Sequence, residues 1–180
     1  MRTAFINTLH ALAEQDKRIM LLSGDLGFSV LENFQKQFTE RFLNMGVAEQ
    51  NMIGTAAGLA LSGMKPYVYS IVPFATMRCF EQIRNDICYQ NVDVKIVGTG
   101  GGLAYGNLGP THHAREDIAI MRALPNMTIV CPCDPIETEL LVKESLKLNS
   151  PLYLRLGRVN EPIVHKEKPN LRIGKGITLR

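Results

Sequence analysis

The stretch Ile19-Met20-Leu21-Leu22-Ser23-Gly24-Asp25 decides how the rest of the chain is read. Four consecutive apolar residues stop at Ser23-Gly24. A run that short and unbroken, closed by a turn signal, predicts a strand buried on both faces, as in a parallel sheet. Before it, Phe5, Ile6, Leu9, Leu12 and Ala13 recur at helical spacing behind Thr3, a residue type suited to an N-cap. After it, Leu31, Phe34 and Phe38 mark the apolar face of a short helix, and Arg41 to Met45 reads as a second strand. Ala48 to Ser62 is a helix rich in Ala and Gly, closed by Gly63. Outward from there the pattern repeats. Strands are predicted from Tyr67 to about Ile71, Val92 to Val97, Met127 to Val130 and Leu152 to Leu156. Helices are predicted from about Ala75 to Gln90, about Ala114 to Leu124 and Pro135 to Leu148, with a Gly-rich loop from Gly98 to Gly109. This alternation predicts an α/β fold, a doubly wound, mostly parallel sheet with helices on both faces.

Residues 1–160 make one domain on this reading. Residues 161–180 lack periodicity and read as a linker towards a further domain that is absent from the chain. The length agrees, since 180 residues is about one domain at roughly 150 residues each. Lys and Arg number 20 against 17 Asp and Glu, and no basic run occurs, which argues against a nucleic-acid partner. No apolar run reaches the roughly 20 residues that span a membrane, and residues 1–17 lack the apolar core of a signal peptide. Cys79, Cys88, Cys131 and Cys133 form no C-x-x-C pair and have no His at zinc-like spacing. They read as buried, reduced thiols of a cytoplasmic protein, with no metal held by this chain.

In an open parallel sheet, ligands collect at the carboxyl ends of the strands. Four segments fall there: Ser23 to Gly27, Gly46 to Gln50, Pro73-Phe74, and the loop ending Gly109-Pro110-Thr111-His112-His113. Glu49 opens an otherwise apolar, small-residue helix. It is either a first-turn carboxylate that complements the helix dipole or a buried acid poised to share a proton. Adjacent His112 and His113 are either proton-transfer groups near neutral pH or ordinary loop histidines. The Gly-rich loop matches neither G-x-G-x-x-G nor a P-loop, so a dinucleotide-binding domain fits the architecture without its fingerprint.

Three blocks then carry a resemblance. They are Arg41-Phe42-Leu43-Asn44-Met45-Gly46-Val47-Ala48-Glu49-Gln50-Asn51, Phe80-Glu81-Gln82-Ile83-Arg84-Asn85-Asp86-Ile87, and Asp117-Ile118-Ala119-Ile120-Met121-Arg122-Ala123-Leu124-Pro125-Asn126-Met127. In order and spacing they resemble the pyrimidine-binding domain of the transketolase family, above all the second subunit of split transketolases. The likeness covers nearly all of residues 3 to 160. It implies a transferase that uses thiamine diphosphate to move a two-carbon ketol unit between sugars or sugar phosphates. Glu49 matches the residue that bonds the N1′ atom of the cofactor's aminopyrimidine. Phe74 matches the aromatic stacked on that ring, and Asp25 an acid near the thiazolium. His112 matches a histidine facing the substrate, with His113 beside it. Ser29 and Arg158 match positions that bind a sugar phosphate.

The chain also departs from the family pattern. Gly100 and Gly101 stand where transketolases commonly carry a His-Asp pair, and Asn107 and Leu108 replace an acidic pair. Ile71 replaces a second aromatic, and His113 a frequent glutamine. These changes bear on the sugars and leave Glu49 and Phe74 untouched. The family's Gly-Asp-Gly stretch, which with a later Asn holds the diphosphate and its Mg2+ or Ca2+, has no counterpart here. The resemblance therefore implies a separate diphosphate-binding subunit or domain as partner, in a heterotetramer or around a homodimer of this domain. Two other readings stay open: a related thiamine diphosphate-dependent synthase, similar to 1-deoxyxylulose-5-phosphate synthase, and a non-catalytic assembly module.

Overall fold

Six parallel strands carry the fold: β1 (Ile19–Ser23), β2 (Phe42–Asn44), β3 (Lys65–Ile71), β4 (Lys95–Thr99), β5 (Thr128–Val130) and β6 (Leu152–Leu156). They form one sheet in the order β2-β1-β3-β4-β6-β5. The computed structural model describes residues 1–178. Burial on both faces explains why β1 is apolar throughout its first four residues, since all five of its residues are buried.

Helices cover both faces. On one lie α3 (Glu49–Leu61), a π-helical stretch (Ile83–Tyr89) and α6 (Asp117–Arg122). Met52, Ile53, Ile83, Ile87 and Met121 from these elements pack on Leu22, Val68, Ile96 and Tyr153, which are neighbours across the register. On the other face lie α1 (Arg2–Gln15), α2 (Glu32–Gln37) and α7 (Pro135–Ser145). Their Phe5, Leu9, Phe34, Leu141 and Val142 pack on Leu21, Tyr69, Val97 and Leu154. Each fully buried aliphatic or aromatic side chain contributes about 1.5–3 kcal/mol, so the two layers together are the main source of stability.

Several local readings shift. The first helix begins at Arg2 rather than after Thr3, with Met1 at its cap position and no side-chain cap. Two of the four cysteines, Cys131 and Cys133, are exposed in the loop after β5, while Cys79 and Cys88 are buried. The helix expected over 75–90 is broken into α4 (Val72–Thr76), α5 (Phe80–Gln82) and the π-helical stretch. Side chains compete with its backbone ladder at the break. The Thr76 hydroxyl donates to the Val72 carbonyl at 2.8 Å, and the Cys79 thiol to the Ala75 carbonyl at 3.1 Å. The Arg78 amide reaches back five residues to the Pro73 carbonyl.

Residues 161–178 contain no helix or strand but are tied to the domain. The amides of Val164 and His165 both donate to Asp134 Oδ2 at 3.0 Å, and His165 Nε2 bonds Glu137 Oε1 at 2.8 Å. Among the described residues, no helix is long and apolar enough to cross a membrane.

Candidate active site

The chain leaves β1 towards β2 on one side and leaves β3 towards β4 on the other. The carboxyl ends of β1 and β3 therefore flank a topological switch point, the place where open α/β sheets bind ligands. Three segments meet there. Gly24 follows β1, Ser70 and Ile71 end β3, and Glu49 is the first residue of α3.

Glu49 is only 1% exposed, although it begins a helix. Its Oε1 accepts a hydrogen bond from the Ser70 hydroxyl at 3.2 Å. Its Oε2 lies 2.7 Å from Arg78 Nη1 in an ion pair. Glu49 is thus both a first-turn carboxylate of α3 and buried. Its charge is matched by a guanidinium, a partner that the sequence does not signal. Gly24 keeps the crevice clear, because a Cβ there would stand 3.0 Å from Ser70 Oγ and 3.3 Å from Glu49 Oε1. Burial, and then the Glu49 charge, push the neighbouring Cys79 thiol up to about 12, which leaves it inert as a nucleophile.

Phe74, on α4, is half-buried beside this pair. The Arg78 guanidinium lies 4.3 Å from its ring centroid, and the His112 ring meets it edge-on at 5.0 Å. His112 in turn faces Tyr105 at 6.0 Å, and Arg158 sits over the Tyr105 ring at 4.5 Å. The side chains of Arg78, Phe74, His112, Tyr105 and Arg158 therefore form one contiguous row of aromatic rings capped at both ends by guanidinium groups. The Gly-rich loop supplies the room for it. Gly100 has φ +82°, and a Cβ there would lie 2.0 Å from the Tyr105 ring. A Cβ on Gly101 would lie 2.5 Å from Arg155 Nη1. The two glycines that depart from the family pattern are thus the positions over which Tyr105 and Arg155 fold.

The remaining candidate residues make other contacts. Asp25 is exposed at the end of β1 and accepts a hydrogen bond from Asn44 Nδ2 at 2.9 Å, so it faces β2. Ser29 is exposed in the loop before α2 with φ +61°, its amide donating to Glu32. His112 Nδ1 bonds the Thr111 hydroxyl at 3.0 Å, and His113 Nε2 bonds the Gly106 carbonyl at 3.2 Å. The Arg158 carbonyl accepts from Arg2 Nε at 2.7 Å. Glu49, Phe74, His112 and Arg158 are brought into one connected group, and His113 is the chain neighbour of His112; Asp25 and Ser29 bond instead to Asn44 and Glu32. Sequence reasoning missed Ser70, Arg78 and Tyr105. For Arg78 a signal existed, since Phe74 and Arg78 are four residues apart, the spacing at which helical side chains meet.

The small residues of α3 divide between inside and outside. Ala56 and Ala57 are buried in the chain's own core, Ala60 is partly buried, and Gly58 and Leu61 are exposed.

The sequence profile of the family described as "Transketolase, pyrimidine binding domain" matches residues 1–162. The chain is 42% identical over 180 residues to a subunit of the apulose-4-phosphate transketolase of Phocaeicola vulgatus, covering 99% of this chain and 58% of that protein. It is 41% identical over 179 residues to "Putative transketolase C-terminal section" of Methanocaldococcus jannaschii, covering 98% and 57%. Among solved structures, "Split gene transketolase, inactive beta4 tetramer" superposes with a TM-score of 0.86 at 41% identity, over 99% of this chain and 58% of that one. The chain thus spans less than two thirds of the length of these relatives.

Proposed function

Because the chain belongs to the transketolase pyrimidine-binding domain family, we propose that it is the aminopyrimidine-binding part of a thiamine diphosphate-dependent transketolase. The observation that carries this reading is Glu49, a buried carboxylate at the switch point with the Phe74 ring beside it. That pair fits the aminopyrimidine half of the cofactor, an acid for a ring nitrogen and an aromatic face for a flat ring. Bound there, thiamine diphosphate supplies the carbon nucleophile that breaks and makes the carbon–carbon bond. Glu49 exchanges a proton with the ring nitrogen, and Ser70 fixes its other oxygen. Phe74 orients the ring, with offset stacking worth about 0.5–1.5 kcal/mol.

His112, next to Phe74, faces the substrate. Arg158, with Ser29 and His113 at the rim, binds the anionic end of a sugar phosphate, a task suited to the guanidinium fork. Asp25 lies towards the thiazolium. The diphosphate and its Mg2+ or Ca2+ are held by a separate subunit or domain, and the assembled enzyme is oligomeric and cytoplasmic. The row of rings capped by Arg78 and Arg158, with Tyr105 folded over Gly100, supports an anionic rather than a neutral acceptor.

The test is reconstitution. Thiamine diphosphate with magnesium is titrated calorimetrically into this chain alone and into the chain with its diphosphate-binding partner. Ketol transfer is then followed from a panel of ketose phosphates. Binding and transfer that both require the partner support the reading. An assembled protein that binds no thiamine diphosphate overturns it.

A further inference from the structure

The Arg78 guanidinium makes two contacts at once. It donates to Glu49 Oε2 at 2.7 Å and lies over the Phe74 ring at 4.3 Å. These are the two contacts that the functional reading above, on which this inference rests, assigns to the aminopyrimidine ring. A guanidinium is flat, carries N–H donors along its edge and stacks on aromatic faces. It thus reproduces the flat shape of the ring it precedes and donates to the carboxylate as the protonated ring nitrogen would. A ring nitrogen bonded to Glu49 Oε2 would take the place of the Arg78 Nη1 donor there.

We propose that Arg78 is a place-holder for the cofactor: it occupies the aminopyrimidine position in the cofactor-free chain and swings out when the cofactor docks. Two observations beyond the contacts support this. Glu49 is 1% exposed, and a carboxylate that deep is strongly disfavoured without a counter-charge. Arg78 supplies that charge. Its own side chain is 41% exposed and follows the end of α4 at the helix break, so a route to water is open. Arg78 is therefore a positioning residue. It keeps Glu49 and Phe74 apart from other partners and fixes their spacing until the ring replaces it.

The competition has a measurable cost. An occupied site binds with an affinity reduced by the fraction of time it is free. The protein assembled with its partner is titrated with thiamine diphosphate at saturating magnesium, as wild type, Arg78→Met and Arg78→Lys. Arg78→Met is expected to bind about tenfold more tightly than wild type, with Arg78→Lys in between, because it keeps the charge and loses the flat fork. Unchanged or weaker binding by Arg78→Met overturns the proposal and makes Arg78 a fixed part of the site. A second readout does not depend on the variants' stability. The Arg78 side-chain Nε resonance in the assembled wild type is expected to move to the position of a free guanidinium on cofactor addition. A resonance that stays in place overturns the proposal. If the wild type binds no thiamine diphosphate, the cofactor reading itself fails and the proposal falls with it.

Discussion

Asp117 Oδ2 lies 2.8 Å from Arg155 Nε and 2.7 Å from the Tyr153 hydroxyl, which joins the start of α6 to β6 through a carboxylate that is fully buried. Burial, and then the Asp117 charge, hold the Tyr153 hydroxyl well above the usual phenol range, so it stays a donor. Arg155 uses its other arm to bond the Ala114 carbonyl at 3.0 Å, where the Gly-rich loop ends. One buried carboxylate thus fixes both a helix and the loop that carries His112 and His113.

Removing that carboxylate strands a guanidinium. Arg155 is largely buried, with its side chain 23% exposed, so Asp117→Ala should cost about 3 kcal/mol of stability. Urea denaturation measures it. The double variant Asp117→Ala with Arg155→Met should recover part of the loss, because it removes the unpaired charge. A single variant within about 1 kcal/mol of wild type would show that the pair adds nothing beyond packing.

Glu49→Ala should leave folding and assembly intact and reduce ketol transfer by about 10²–10⁴-fold, the range for loss of a positioned proton-transfer group. Turnover is assayed in the assembled enzyme, with sedimentation as the control for assembly. Retained turnover in an intact assembly removes Glu49 from the chemistry.

How far the sequence could be read follows from where each signal lies. β1 was legible because burial on both faces leaves an unbroken apolar run. Glu49 was legible because an acid is conspicuous on an apolar helix. The pairing of Arg78 with Glu49 was not, since the spacing of Arg78 signals only Phe74 and its carboxylate partner is 29 residues away. Only the switch between β1 and β3 brings the two together. The break between α4 and α5 was hidden for a different reason. The apolar spacing of Ile83 and Ile87 is the same for an α- and a π-helical course, and side-chain bonds from Thr76 and Cys79 decide the matter. The exposure of Cys131 and Cys133 depends on loop geometry that composition does not encode.

Gly24→Ala tests the crevice rather than the fold. The new methyl meets Ser70 Oγ at 3.0 Å and Glu49 Oε1 at 3.3 Å, so it crowds the two groups that define the acid's position. Overpacking of this kind costs about 1–3 kcal/mol. Thiamine diphosphate affinity in the assembled protein should therefore fall by about tenfold or more, with the melting temperature lowered only modestly. An unchanged dissociation constant would place the cofactor away from the carboxyl end of β1.

Acid should release the segment that follows β6. Burial raises the Asp134 carboxyl, but amide donations from His165, Glu137 and Val164 outweigh it and hold the group below the usual carboxylate range. The same side chain caps α7 by accepting from the Glu137 amide at 2.8 Å. A depressed carboxyl stabilises the fold fully above its unfolded value of about 3.9, and that contribution is lost as pH falls through the folded value. Below about pH 4, then, Val164 and His165 should lose their hydrogen-bond protection first, while β4 and β6 keep theirs. Hydrogen exchange across a pH series reads this amide by amide. Asp134→Ala should mimic the acid state at neutral pH, cost about 1 kcal/mol for the lost cap and flatten the acid limb of the melting curve. If the Val164 and His165 amides stay protected at low pH, something other than Asp134 holds the segment against α7.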